Sequence, residues 1–305
     1  MKVVALAGGV GGARMADGLA QVLQPADLTV IVNTGDDFRH LGLYICPDLD
    51  TVCYTLAGLV NPDTGWGRAD EGWLAMEELE RLSGPTWFNL GDRDLATHME
   101  RTRRLEQGDS LSQITADLCS AWGIQAKVLP MCDEPVPTIV LTDEGELSFQ
   151  EYFVARQCEP IVSGFRFEGV EQAQPAPGVL ARIKEAELVV ICPSNPWVSI
   201  DPILALPGLR KTLAGCKVVA VSPIIGGKTV KGPAAKMFIE MGLEASAQSV
   251  AEHYHDLLTG FVMDLADLEL LNKIPITTLV TDTIMKDTTQ RRRIAQEVLT
   301  FAVDL

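Results

Sequence analysis

No stretch of this 305-residue chain stays apolar for the ~20 residues that a membrane-spanning helix needs. The N-terminal run Val3–Ala7 also falls short of a signal-peptide core of about 7–15 residues. A cytoplasmic protein with no membrane partner is therefore expected. Cysteine is sparse and scattered. The seven, at positions 46, 53, 119, 132, 158, 192 and 216, form no Cys-x-x-Cys pair. That argues against a disulfide framework and against a structural zinc site. Most read as small buried hydrophobes. Basic residues are in deficit: 25 Lys and Arg against 41 Asp and Glu leave a formal charge of −16. A nucleic-acid binder needs a basic face, so no nucleic-acid partner is expected. A small anionic ligand stays open. It needs only a local cluster of donors and cations, with or without a divalent metal.

What is present is enough apolar residue, 47%, to build a large core. One large domain, or one carrying a smaller insertion, is expected. Lys2–Ala7 reads as a buried strand, Gly8–Gly12 as a turn and Ala13–Leu23 as an amphipathic helix. Leu28–Val32 reads as the next strand, completing a βαβ unit. Helices are expected over Thr51–Val60, Gly72–Leu82, Leu95–Arg104 and Ser112–Trp122, and strands over Thr86–Leu90 and Ala126–Leu129. Thr138–Thr142 and Glu146–Gln150, joined by Asp143-Glu144-Gly145, carry a hairpin signal. Residues 133–174 are expected to form a smaller β-rich insertion. Residues 1–132 and 175–305 would then form the core. Alternation resumes with a helix at Val179–Ala186, a strand at Leu188–Cys192, a short helix within Leu206–Leu213 and a strand at Lys217–Val221. Alternating strands and helices with all-apolar strands imply an α/β fold with a doubly wound, mostly parallel sheet.

Ligands of such sheets bind beyond the carboxyl ends of the strands. Five polar loops lie there. In the first, Gly8-Gly9-Val10-Gly11-Gly12-Ala13-Arg14, glycines let the backbone approach a phosphate. The helix start then aims free N–H groups at the anion. No Gly-Lys-Ser/Thr follows, so the loop is not a P-loop. Arg14 stands where a dinucleotide fingerprint needs its third glycine. The bland alternative is a tight turn with no ligand. The second loop carries Asp36 and Asp37, followed by Asp48 and Asp50. This set suits a metal or proton transfer, although Asp48 also suits a helix cap. The third, Asn89-Leu90-Gly91-Asp92-Arg93-Asp94, is followed by His98, one helical turn after Asp94. Ser194 and Asn195 lie between two prolines at a strand end. The fifth loop, Ser222–Lys231, includes Lys228 and Lys231. The runs Arg101–Arg104 and Arg291–Arg293 read as solvated faces.

Taken together, these motifs resemble the 2-phospho-L-lactate transferase family of deazaflavin coenzyme (F-420) biosynthesis. The resemblance rests on the glycine loop, Asn33-Thr34-Gly35-Asp36-Asp37, Pro47-Asp48-Leu49-Asp50-Thr51-Val52 and Gly65-Trp66-Gly67-Arg68. It continues in Leu90–His98, Pro193-Ser194-Asn195-Pro196 and Ser222–Gly227, and so covers nearly the whole chain. It implies a Rossmann-like core, Mg2+ as cofactor and a homodimer. It also implies a reaction. The terminal ribityl hydroxyl of 7,8-didemethyl-8-hydroxy-5-deazariboflavin attacks a guanosine diphosphate-linked lactate or enolpyruvate, and GMP leaves. Asp50 matches the family's acceptor-binding aspartate. Asn89 stands where some members carry a lysine. Asp92, Asp94 and His98 are expected beside the acceptor. Gly8, Gly9, Val10, Gly11, Gly12, Arg14, Ser194, Asn195 and Lys228 are expected on the nucleotide. Asp36, Asp37 and Asp50 are expected to serve catalysis and the metal. Asp50→Asn is expected to fold normally and lose most turnover.

Two other functions compete. One is a non-catalytic, sugar-nucleotide-binding regulatory protein of the same superfamily. Its ligand would not need so many neighbouring carboxylates. The other is a nicotinamide-dependent oxidoreductase, which Arg14 in the third glycine's place disfavours.

Overall fold

Seven parallel strands form the central sheet of the structure, a computed structural model that describes residues 1–305. They are β1 (Val3–Ala7), β2 (Leu28–Val32), β3 (Lys127–Pro130), β4 (Leu188–Ile191), β5 (Val218–Val221), β6 (Gly260–Asp264) and β7 (Thr278–Thr281). Their order is β7-β6-β5-β4-β1-β2-β3, and every neighbouring pair is parallel. This is the doubly wound Rossmann order with one strand added at an edge. Both faces are covered, which is why β1, β4 and β5 read as continuous apolar runs and β2 is broken only by the buried Thr29. Along β1, Val4 and Leu6 join one hydrophobic cluster, and Val3, Ala5 and Ala7 join the other. The period-two alternation of a strand thus feeds two cores.

Helix α1 (Gly9–Val22) packs on α2 (Pro47–Leu56) and on the C-terminal helix, Thr288–Val303. At Gly18 the latter contact is backbone on backbone. A Cβ there would stand 2.2 Å from the Arg291 carbonyl oxygen. A separate antiparallel sheet has Thr138–Thr142 at its centre, between Gly145–Ser148 and Val162–Phe167. An isolated bridge between Cys132 and Pro175 lies where the chain leaves the main body and returns. Val140, Tyr152 and Val162 of this segment share a cluster with Val4 and Leu6, so its inner face continues the main core.

Four local expectations change. The helix expected over Thr51–Val60 runs instead over Pro47–Leu56, so Asp48 and Asp50 lie in its first turn. Helix α1 begins at Gly9, so most of the glycine turn is the helix's first turn. Thr86–Leu90 forms no strand. Its apolar residues instead pack ring on ring, with Trp87 and Phe88 against Phe38 and His40. The next helix, α3 (Asp92–Glu106), starts three residues early and takes in Asp92 and Asp94. Past Val221 the fold adds β6, β7 and the C-terminal helix, to which no sequence expectation was attached.

Candidate active site

Chain direction across the sheet reverses between β1 and β4. Their carboxyl ends frame the crevice where doubly wound folds bind ligands. A cavity of about 690 Å³ opens there. It takes in Gly8–Gly11 and Arg14 from α1, Asp48 and Asp50 from α2, and Asp94 and His98 from α3. Ser194 and Asn195 line it after β4, as does Asn89. No helix is long and apolar enough to cross a membrane.

Two glycines of the first loop have a packing cause beside the one the sequence suggests. A Cβ at Gly11 would stand 2.2 Å from the Pro193 carbonyl oxygen, and one at Gly12 would stand 2.6 Å from Ser194 Oγ. The loop after β4 therefore demands these glycines by pressing against them. Gly12 does not line the cavity. Ser194 is buried, and its hydroxyl donates to the Gly8 carbonyl (2.8 Å) and accepts from the Gly8 N–H (3.2 Å). It ties the two loops together, with its proton already committed to Gly8. Asn195 Oδ1 accepts from the Trp197 N–H and caps the turn that follows.

Asp48 is the unexpected member. It does not cap its own helix. Its Oδ1 accepts from Gly9 N–H at 2.7 Å and its Oδ2 from Asn33 Nδ2 at 2.9 Å. The same amide nitrogen also faces Asp36 Oδ1 (3.1 Å) and the Val198 carbonyl (3.0 Å). An amide has two hydrogens, so three acceptors leave one without a donor. Burial raises the Asp48 pKa to about 6 against the bonds from Asn33 and Gly9. Burial, then the charge of Asp48, raises Asp36 well above the carboxylate range. Asp37 is also raised by burial, and neither of its oxygens has a hydrogen-bond partner, with only the weak Cys46 thiol beside it. It borders a smaller adjoining cavity rather than the main one.

Asp50 belongs to a second cluster. Arg101 grips it with both terminal nitrogens, one of them at 3.1 Å from Oδ2. Asp50 and Arg101 are 5% and 2% exposed, so this is a buried ion pair. Arg101 is thus not part of a solvated face, and Arg291 likewise pairs with Asp17 at 3.1 Å. Arg101 also approaches His98 Nδ1 at 3.3 Å. An arginine can only donate, so this contact suits a ring whose Nδ1 accepts and whose proton is on Nε2; Nε2 faces Asp94 Oδ1 at 3.4 Å without closing a hydrogen bond. The Tyr54 hydroxyl donates to that same oxygen at 2.6 Å. Burial would raise the Asp94 pKa, but His98 and Tyr54 outweigh it and the pKa is lowered.

Three expected assignments do not hold. Asp92 accepts from the N–H groups of Leu74 (3.2 Å) and Ala75 (3.0 Å), holding the start of helix Leu74–Arg81 outside the cavity. Lys228 is exposed and does not line the cavity, whereas Lys231 does. Asp36, Asp37 and Asp50 do not converge as a ligand set. The residues whose ligand atoms lie within 4.8 Å of one another are Asp50, Asp94 and His98.

A Rossmann-order sheet, a helix start and a buried acid–base cluster facing one cavity are the marks of an α/β enzyme. Comparison with known proteins narrows the class. The family model described as 2-phospho-L-lactate transferase CofD matches residues 3–299, and the chain belongs to that family of transferases. A phosphoenolpyruvate transferase of Streptomyces coelicolor is 44% identical over 100% of this chain and 99% of its own. A 2-phospho-L-lactate transferase of Methanosarcina barkeri is 39% identical over 97% of each chain. A crystal structure of a UPF0052-family protein from Bacillus halodurans shares the fold, with a TM-score of 0.65 and 13% identity over 98% of each chain.

Proposed function

We propose that the chain transfers a three-carbon phosphoacid group, 2-phospholactate or phosphoenolpyruvate, from a guanosine diphosphate-linked donor. The acceptor is the terminal ribityl hydroxyl of 7,8-didemethyl-8-hydroxy-5-deazariboflavin, and GMP is released. The observation that carries this reading is one cavity whose lining combines two unlike sets of groups. The start of α1, Arg14 and Lys231 suit a polyanion. Asp50, Asp94 and His98, with the aromatic side chains Trp87, Phe88, Phe149 and Phe153 in the same lining, suit a flat aromatic ligand ending in hydroxyls.

Asp50 accepts a hydrogen bond from the attacking hydroxyl and orients it. Arg101 holds Asp50 in one rotamer and His98 in one tautomer. Phosphoryl transfer asks mainly for such positioning and for charge neutralisation. Helix-start N–H groups beyond Gly9, together with the two cations, meet the donor's negative charge.

The residues present suit Mg2+. Asp36 and Asp48 offer oxygen ligands only, share one amide donor and have no cation paired with them. Asp50 is less suited, because Arg101 already balances its charge. When bound, the ion would neutralise diphosphate charge beside these two acids. The test is direct. The protein is incubated with the deazaflavin, Mg2+ and guanylylated lactate or enolpyruvate, and GMP is followed by chromatography. Absence of GMP with both donors would refute the reading.

A further inference from the structure

Arg14 carries a charge that no acid of the protein balances. Its buried Nε has no hydrogen-bond partner. Its charged neighbours are cations. Burial, and then Arg291, lowers the Arg14 pKa. Burial, and then Arg14, lowers that of Lys231. The Lys231 ammonium also lacks an acid and instead reaches the carbonyls of Asp63 and Thr64 across the cavity mouth. Gly65 sits between the two. A Cβ on it would lie 3.5 Å from Arg14 Nη2 and 3.5 Å from Lys231 Nζ. The two nitrogens are therefore no more than about 7 Å apart. In a chain of net charge −16, two neighbouring cations without an acid mark a place kept for an external anion.

We propose that Arg14 and Lys231 clamp the carboxylate of the donor's three-carbon acid. The start of α1 is then left to the phosphate. This rests on the donor assigned under the proposed function. Position admits a carboxylate beside the phosphate. Arg14 lies one helical turn beyond Val10, on the same face of α1, with about 5–6 Å between such Cβ atoms. A phosphate at the helix start and an anion at Arg14 are thus separated by a few ångströms. A carboxylate one carbon from a phosphate ester has that spacing. The planar guanidinium also matches a carboxylate with two parallel bonds. Such a clamp reads a group that lactate, enolpyruvate and glycerate share. It selects for an acid over a plain nucleotide without choosing among the three.

The test uses two probes, GDP and guanosine diphospholactate, titrated calorimetrically without acceptor so that no transfer occurs. The full-length protein is compared with Arg14→Gln and Lys231→Met. Lys231 lies on a surface strap, so its replacement leaves folding intact if Arg14→Gln does not. The expected result is a loss of about 10- to 100-fold for the lactyl probe, as for one charge-assisted contact, with GDP affinity changed by less than about 3-fold. Equal losses for both probes would overturn the clamp and assign the pair to the diphosphate. Unchanged affinity for both would also overturn it. Wild-type protein that binds neither probe would instead overturn the donor assignment, and the clamp with it.

Discussion

Replacing Arg101 by methionine tests the structure where it departs furthest from the sequence reading. Methionine fills a similar volume but leaves the Asp50 carboxylate buried without its counter-ion. Both partners are almost wholly buried, and Arg101 meets both oxygens of the acid. Breaking such a pair from one side costs about 3–5 kcal/mol. Unfolding entropy of about 2.1 cal/mol/K per residue over this length makes that a fall in Tm of roughly 5–8 °C. The complementary change, Asp50→Asn, strands the guanidinium and should cost a comparable amount. This revises the expectation that Asp50→Asn folds normally. The double variant should lose less than the sum of the singles, with a coupling of about 2 kcal/mol or more. Urea denaturation followed by circular dichroism measures all four proteins. An Arg101→Met variant within about 1 kcal/mol of wild type, or additive single effects, would refute the reasoning.

Three further outcomes follow from the site. The native pKa of Asp48, about 6, lies above its ordinary 3.8. The folded state thus holds this proton more tightly than the unfolded one. Its stabilising contribution is complete below about pH 4 and is lost as pH rises through about 6. Asp48→Asn should lack that slope, so the difference between variant and wild-type stability should change by at most about 3 kcal/mol over pH 4–7; parallel curves would contradict the assignment. Asp92→Ala should destabilise by about 1 kcal/mol, as loss of a helix-start acceptor, while turnover stays near wild type; a large loss of turnover would return Asp92 to the acceptor site. Gly11→Ala drives a methyl into the Pro193 carbonyl and should cost about 1–3 kcal/mol in a thermal melt. A neutral result would mean that the two loops are not in close contact.

The sheet was largely legible because burial on both faces writes itself as unbroken apolar runs. β1, β4 and β5 are each such a run, β2 is broken only by Thr29, and their boundaries fall within one residue of the sequence reading. Thr86–Leu90 looks alike in composition, yet its bulky residues close a ring cluster with Phe38 and His40, a partnership between distant segments. The site divided in the same way. Loops after strands lie at the sheet edge by topology, so Gly8–Gly11, Asp36, Asp50 and Asn195 could be placed from sequence. What each atom does there could not. Arg101 stands in a basic run, and only the fold turns it inward while Arg103 pairs with Glu100 outside. Asp48 looks like a helix cap, and only the approach of α1 gives its oxygen the Gly9 N–H. One signal was available for Arg101: residues three and seven along a helix return to nearly the same face. Arg101 therefore shares the cavity side with His98 and Asp94, and Arg103 does not.

The acids beside the helix start bear on the order of binding. A diphosphate brought next to Asp36 and Asp48 meets two carboxylates that burial already pushes toward their neutral forms. Proton uptake or a divalent cation relieves that repulsion, and only the second works equally well above pH 7. Donor affinity measured without acceptor should therefore fall when magnesium is removed, and fall more steeply at pH 8 than at pH 5.5. Asp50 stands apart from this dependence, because its charge is paired with Arg101. Asp48→Asn should accordingly weaken the magnesium requirement for donor binding. A magnesium requirement that is independent of pH, or that survives Asp48→Asn intact, would separate the metal from these two acids.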